Sequence, residues 1–167
     1  LVGKFINIPS RTSGFIKKYF NNIIVPTEEI SIQDSKQIID DLIAIKDEVI
    51  FLYEARLFSK LNRLLISYTE KVNEYVNRLE PWVLAKNDAE HKHMSQLHQV
   101  CSAALQAFRV LSIYYSPVMP NLTSKIAEFY GESDYQSIEA IHKDTKNISD
   151  YEHLLIRLDK EAIDAML

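Results

Sequence analysis

The sequence predicts an all-α bundle, and three observations carry that expectation. Apolar residues recur at steps of three and four over several long stretches, the period of a helix with one buried face. Only three glycines and five prolines punctuate 167 residues, too few turns for many short strands. Hydrophobic residues make up 47% and charged residues 25% of the chain, an ordinary soluble mix at a length that suits one domain with a real core.

The first helix is expected from about Leu1 to Phe20, closed by Asn21, Asn22 and Pro26. The second covers roughly Ser35 to Tyr53, with Ile38, Leu42, Ile45, Val49 and Leu52 on one face. The third covers roughly Arg56 to Leu79. Its stripe of Leu57, Leu61, Leu64, Leu65, Tyr68, Val72, Tyr75, Val76 and Leu79 is the cleanest in the chain, and Pro81 should end it within a residue or two. Lys86 to Lys92 is polar and reads as a loop. A fourth helix follows from about Glu90 to Tyr115, with Leu97, Val100, Ala104, Ala107, Phe108, Leu111 and Tyr115 inward. Pro117 stops it, and Pro120 suits the first turn of a fifth helix that runs to Tyr130, with Gly131 as its C-terminal cap. Beyond Glu132 the pattern weakens to a loop, then a terminal helix capped by Asp159 and containing Ala162, Ile163 and Met166. The long helices are expected to pack antiparallel.

Several function classes are excluded early. Neither GxGxxG nor GxxxxGK[ST] occurs, and no serine sits in a nucleophile elbow. The lone Cys101 rules out an internal disulfide and lies beside an apolar face, as a small core residue does. His91, His93 and His98 do not share a helical face, so a solvated entry to the fourth helix accounts for them better than a metal site. No apolar run approaches the ~20 residues a membrane span needs, and Leu1-Val2-Gly3-Lys4 has the wrong order for a signal peptide. These features set the expectation of a cytoplasmic protein without a membrane partner. The chain opens without Met and on the inside of a helix, which reads as a piece of a larger protein.

Binding chemistry is more promising. The net charge is −4, yet residues 1–27 hold Lys4, Arg11, Lys17 and Lys18 and no acid. A local basic end on an acidic body is able to meet a few phosphates. Asn7 and Arg11 are four residues apart and share a helix face. Asn offers a donor and an acceptor to a base edge, and Arg adds a fork of donors and a stacking plane. A helix-capping or interhelical polar pair accounts for the same spacing. Trp82, the only tryptophan, follows Pro81 at a helix end, where it presents a face to an unstacked base or plugs the bundle.

Those residues also carry a resemblance. Phe5-Ile6-Asn7-Ile8-Pro9-Ser10-Arg11-Thr12-Ser13-Gly14-Phe15-Ile16 resembles the N-x-x-S-R…G-F-I helix that follows the catalytic domain of methionyl-tRNA synthetases. Glu80-Pro81-Trp82-Val83-Leu84-Ala85-Lys86 resembles that family's P-W-x-x-A-K segment, and Tyr115-Ser116-Pro117-Val118-Met119-Pro120 its x-P-x-x-P break. The three occur in the family's order across nearly the whole chain. The resemblance implies a helical bundle of the class I aminoacyl-tRNA synthetase anticodon-binding type, with residues 1–167 as one such domain. It gives Asn7, Arg11 and Trp82 contacts to the CAU anticodon. Trp82 would stack on the first anticodon base, and Asn7 and Arg11 would bond to base edges and nearby backbone. The implied partners are the tRNA(Met) anticodon loop and the enzyme's own catalytic domain.

The HIGH and KMSKS signatures and the cysteine pairs of a zinc knuckle are absent from the sequence. The resemblance therefore assigns no catalytic residue, no cofactor and no metal to this chain. ATP, magnesium and any zinc would belong to the catalytic part of the parent ligase, which charges tRNA with methionine. Two departures from the family pattern stand out. Pro9 lies between Asn7 and Arg11 and should kink the first helix. Leu154-Leu155-Ile156-Arg157-Leu158-Asp159 lacks the family's aromatic, so Arg157 reads as structural. Two other readings remain open at this stage: the anticodon domain of a class I synthetase for leucine, isoleucine, valine or cysteine, and a helical scaffold that ignores RNA.

Overall fold

The computed structural model describes residues 2–86, 93–135 and 137–152. The expected terminal helix, with Asp159, Ala162, Ile163 and Met166, lies outside the described residues, as do Arg157, His91 and most of the expected 86–92 loop. The helices are α1 (Val2–Phe20), α2 (Gln33–Ala44), α3 (Lys46–Glu54), α4 (Phe58–Leu79), α5 (Pro81–Lys86), α6 (Met94–Tyr115) and α7 (Pro120–Phe129), with short 3-10 turns at Thr27–Glu29 and Ile138–His142. The all-α expectation holds, with an isolated Ile23–Asn147 bridge as the one sheet-like pairing among the described residues.

Helix α6 is the axis of the fold. It touches α1, α2, α4, α5, α7 and the Ile138–His142 turn, and every residue from Val100 to Tyr115 is buried. Cys101, Ser102, Ala103, Ala104 and Ala107 keep its surface low, so neighbouring helices approach closely. Its polar residues Ser102, Gln106 and Arg109 fall at i, i+4 and i+7 and face non-helical chain. Ser102 Oγ accepts from Val25 N at 2.9 Å, Gln106 Nε2 donates to Thr145 O at 3.0 Å, and Arg109 Nη1 donates to Lys143 O at 2.7 Å. These bonds satisfy buried and partly buried backbone groups that no ladder reaches.

The expected second helix is two helices. The stripe Ile38, Leu42, Ile45, Val49 and Leu52 is buried as predicted, but the chain turns at Ile45 (φ −86°, ψ 5°). The Tyr114 hydroxyl donates to Leu42 O at 2.7 Å, taking an acceptor that an uninterrupted helix offers to residue 46. Tyr53 does the same for Tyr114 O at 2.6 Å, in the last turn of α6. Asn21 (φ 51°) and Asn22 (φ 62°) end α1 in left-handed geometry, which Asn tolerates better than most residues.

Gly131 closes α7 as expected, with φ 66° and bonds from Gly131 N to Glu128 O and from Glu132 N to Ala127 O, both 2.9 Å. A Cβ at this position meets no neighbouring atom, so the left-handed backbone alone resists substitution. Gly131→Ala is expected to lower stability by about 1 kcal/mol, measured by urea denaturation with an unchanged m-value.

The long helices are not all antiparallel. Side chains of α1 meet those of α4 at a constant offset of sixty-six positions: Lys4 with Glu70, Asn7 with Asn73, Arg11 with Asn77. A constant positive offset means that the two helices run parallel. Both oppose α6, since Phe5 packs on Phe108 and Tyr115 while Phe20 stacks on His98, and Tyr75 reaches Val100. The intervening α2 and α3 return the chain, which frees α4 to repeat the direction of α1.

Candidate nucleic-acid interface

The α1–α4 seam places the residues singled out from sequence. Positions 4, 7 and 11 and positions 70, 73 and 77 share the same i, i+3, i+7 spacing, so two parallel helices present matching polar rows above the core. Asn7 Nδ2 donates to Asn73 Oδ1 at 3.2 Å, and Arg11 Nη2 donates to Asn77 Oδ1 at 2.7 Å. Asn73 is itself fixed by donating to Lys4 O at 2.9 Å and Thr69 O at 3.0 Å. Asn7 and Arg11 thus each bond across to α4, as the plainer interhelical reading had it, and their remaining groups stay available. Asn7 and Asn77 are exposed, and Arg11 is half-buried. Among the described residues a single guanidinium N–H of Arg11 is engaged, out of five.

The turn after α4 brings Trp82 to the same place. Glu80 adopts φ 44°, ψ 62° and its N–H still reaches Val76 O, after which Pro81 cannot continue the helix. Pro81 instead opens α5, with Val83 N and Leu84 N bonded to Glu80 O. This reversal sets Trp82 half-buried against the core. The Arg11 guanidinium carbon lies 4.8 Å from the indole centroid, within cation–π range. Sequence reading put Asn7 and Arg11 on one helix face, and the resemblance grouped Trp82 with them; in the fold Arg11 contacts Trp82 and lies one turn from Asn7.

Pro9 does not separate them. Helix α1 is continuous from Val2 to Phe20 with Pro9 inside and buried. Positions 7 and 11, on either side of it, stay in step with positions 73 and 77 of an unbroken helix. Ser13 Oγ donates to Pro9 O at 2.6 Å and Thr12 Oγ1 to Ile8 O at 2.8 Å, both in the turn that follows the proline.

The acid-free end is less basic in space than in sequence. Glu70 pairs with Lys4, and Asp150 with Lys17 at 2.7 Å. Beside the seam, α2 and α4 border a cleft of about 610 Å³, lined by Asp34, Asp41, Lys71, Glu74, Asn77 and Arg78 among others. Arg78 Nη1 is 2.5 Å from Asp34 Oδ2, and burial pushes the Tyr75 hydroxyl above its ordinary range. The residues that sequence reading missed are Asn73, Asn77 and Glu80. For Asn73 and Asn77 the signal was the repeat of the 4, 7, 11 spacing at 70, 73, 77; for Glu80 there was none.

Two other candidates resolve as structural. Cys101 is fully buried, and desolvation raises its thiol pKa far from reactivity. His98 is not simply solvated: its Nε2 is 2.8 Å from Ile23 O and its ring stacks on Phe20 at 4.0 Å. Among the described residues no three His, Cys, Asp or Glu side chains form a group able to hold a metal ion, and no helix is long and apolar enough to cross a membrane.

No family model matches the chain. Individual relatives do. All of the chain aligns with 24% of a methionine–tRNA ligase from Cupriavidus necator at 34% identity over 169 residues. Nearly all of it, 99%, aligns with 23% of the ligase from Methylibium petroleiphilum at 36% identity over 167 residues. The chain thus spans about a quarter of the length of these curated relatives. Among solved structures, apo methionyl-tRNA synthetase from Mycobacterium tuberculosis superposes with a TM-score of 0.83, covering 95% of this chain and 32% of that one at 16% identity, a likeness of fold. By whole-chain sequence similarity and by fold, the chain matches one helical region of the longer methionyl-tRNA synthetases.

Proposed function

We propose that this chain reads the CAU anticodon of tRNA(Met) for a methionine–tRNA ligase. The ATP- and magnesium-dependent joining of methionine to tRNA is the work of the ligase's catalytic part, with which this chain pairs. The observation that carries the reading is the Arg11 guanidinium 4.8 Å over Trp82, one helical turn from exposed Asn7. In the free protein Arg11 occupies one face of the indole, and a base inserting there would replace one flat cation–π contact with a stack. Base stacking on an aromatic side chain is worth ~1–3 kcal/mol. Arg11 and Asn7 then supply the donors and acceptor that distinguish one base edge from another.

The test is an anisotropy titration of the chain with a CAU anticodon hairpin and with one altered at its first anticodon base. The CAU hairpin should bind better, and Trp82→Ala should weaken it roughly 5- to 150-fold while erasing the preference. Equal binding of both hairpins, seen only at low salt, would sink the assignment of these residues.

A further inference from the structure

Helix α4 carries a second polar row on its outward side. Lys60, Arg63 and Lys71 are exposed and, with Ser67 between them, fall at i, i+3, i+7 and i+11. That spacing is a single stripe on the side away from buried Leu65 and Val72. Lys4, Lys17, Lys46, Arg78 and Arg109 each meet a carboxylate. Lys60, Arg63 and Lys71 meet none among the described residues. The Lys71 ammonium sits 4.1 Å over the Tyr68 ring, which orients it without neutralising it. Glu74 lies on the same side, so the row is net positive on a chain whose total charge is −4.

The row is continuous with the seam. At 1.5 Å per residue, Lys71 lies ~9 Å from Asn77 along the axis, Arg63 ~21 Å and Lys60 ~26 Å. The cations therefore lead away from Trp82 toward the end of the bundle where α1 begins. Cations spaced along a straight helix suit a strand of phosphates. Ser67, rather than an apolar anchor, fills the gap in the row, unlike the aromatic centre of a protein interface.

We propose that Lys60, Arg63 and Lys71 form a phosphate-backbone track for the stem of the RNA whose loop sits at Trp82. This rests on the anticodon-reading proposal above and adds affinity without base preference. The test replaces all three residues in the 167-residue chain (K60Q/R63Q/K71Q), with K125Q/K143Q/K146Q as an equal-charge control elsewhere on the surface. Two RNAs are titrated from 50 to 200 mM salt: a hairpin with its full stem and a loop-only oligonucleotide.

For the hairpin, three lost phosphate contacts should lower the slope of log K against log salt by roughly 2 to 3. The parent then loses about 20- to 40-fold more affinity over this range than the variant does. Loop-only binding, CAU preference and the control variant should stay at parent values. An unchanged hairpin slope overturns the track while leaving base reading intact, and so does an equal effect on the loop-only RNA. A reduced slope with no CAU preference in the parent keeps the track and removes the base reader. Failure of the parent to bind the hairpin at 50 mM removes both.

Discussion

Arg109→Met is expected to destabilise the protein by about 3–5 kcal/mol, the cost of breaking a buried ion pair from one side. The Arg109 side chain is 2% exposed inside the central helix. Its Nε donates to both Glu132 oxygens at 3.1 and 2.9 Å, and Nη2 donates to Glu132 Oε1 at 2.8 Å. Nη1 donates to Ala140 O at 3.0 Å and to Lys143 O at 2.7 Å. Methionine keeps the length and helix propensity of the side chain, so the loss isolates the donors. Two backbone carbonyls and a half-buried carboxylate then lack partners. At this chain length each kcal/mol moves the midpoint by roughly 2–4 °C, so a fall on the order of 10 °C is expected by circular dichroism.

The loss should spread in a defined direction. Residues 143–148 are tied to the end of α1 through Ile24 N–Lys146 O and Ile148 N–Asn22 O, both 2.9 Å. Amide exchange at Ile24 and Ile148 should therefore quicken before exchange in α4. Adding Glu132→Gln should recover part of the loss by removing the stranded charge. A variant that melts within 2 °C of the parent would show that this network specifies the path of the coil without stabilising it.

Arg109 also marks what the sequence hid. Periodicity reports one buried face per helix, and for α4 that is enough: Leu61, Leu65, Val72 and Val76 are buried as their spacing predicts. In α6, Ser102, Gln106 and Arg109 look like an outer face. They are inside because non-helical chain, which has no period of its own, packs over them and supplies the acceptors. The break at Ile45 was silent because one turning residue preserved the phase of the stripe across α2 and α3. Parallel α1 and α4 were equally silent, since amphipathicity gives a helix a face but not a partner. The candidate site was legible as residue types, an Asn–Arg pair and a Trp behind a Pro. Its assembly was implied by the resemblance alone and not by periodicity, because it depends on the register between α1 and α4 and on left-handed Glu80, both of which belong to tertiary structure.

Phe5→Ala should cost a further 3–5 kcal/mol class of loss, about what truncating a buried phenylalanine does elsewhere. Phe5 is fully buried, with its ring 4.6 Å from Phe108 and 5.1 Å from Tyr115. Removing it forfeits both ring contacts and leaves a void that helix-bound neighbours fill poorly. The first turn of a helix usually frays, which would mute such an effect, but here Asn73 Nδ2 holds Lys4 O at 2.9 Å and Glu70 pairs with Lys4. The penalty therefore falls on the docking of α1 as a whole. Phe51, 60% exposed on α3, is the internal comparison, and Phe51→Ala should stay within about 0.5 kcal/mol of the parent. Because α1 presents Asn7 and Arg11 to α4, its loosening should also let Arg11 leave the indole. Trp82 fluorescence in Phe5→Ala is then expected to become more quenchable by iodide at temperatures below the melting midpoint. If Phe5→Ala lowers the midpoint while Trp82 quenching stays at the parent level, the Arg11–Asn77 bond and the turn at Glu80 hold the site without help from the packing beneath α1.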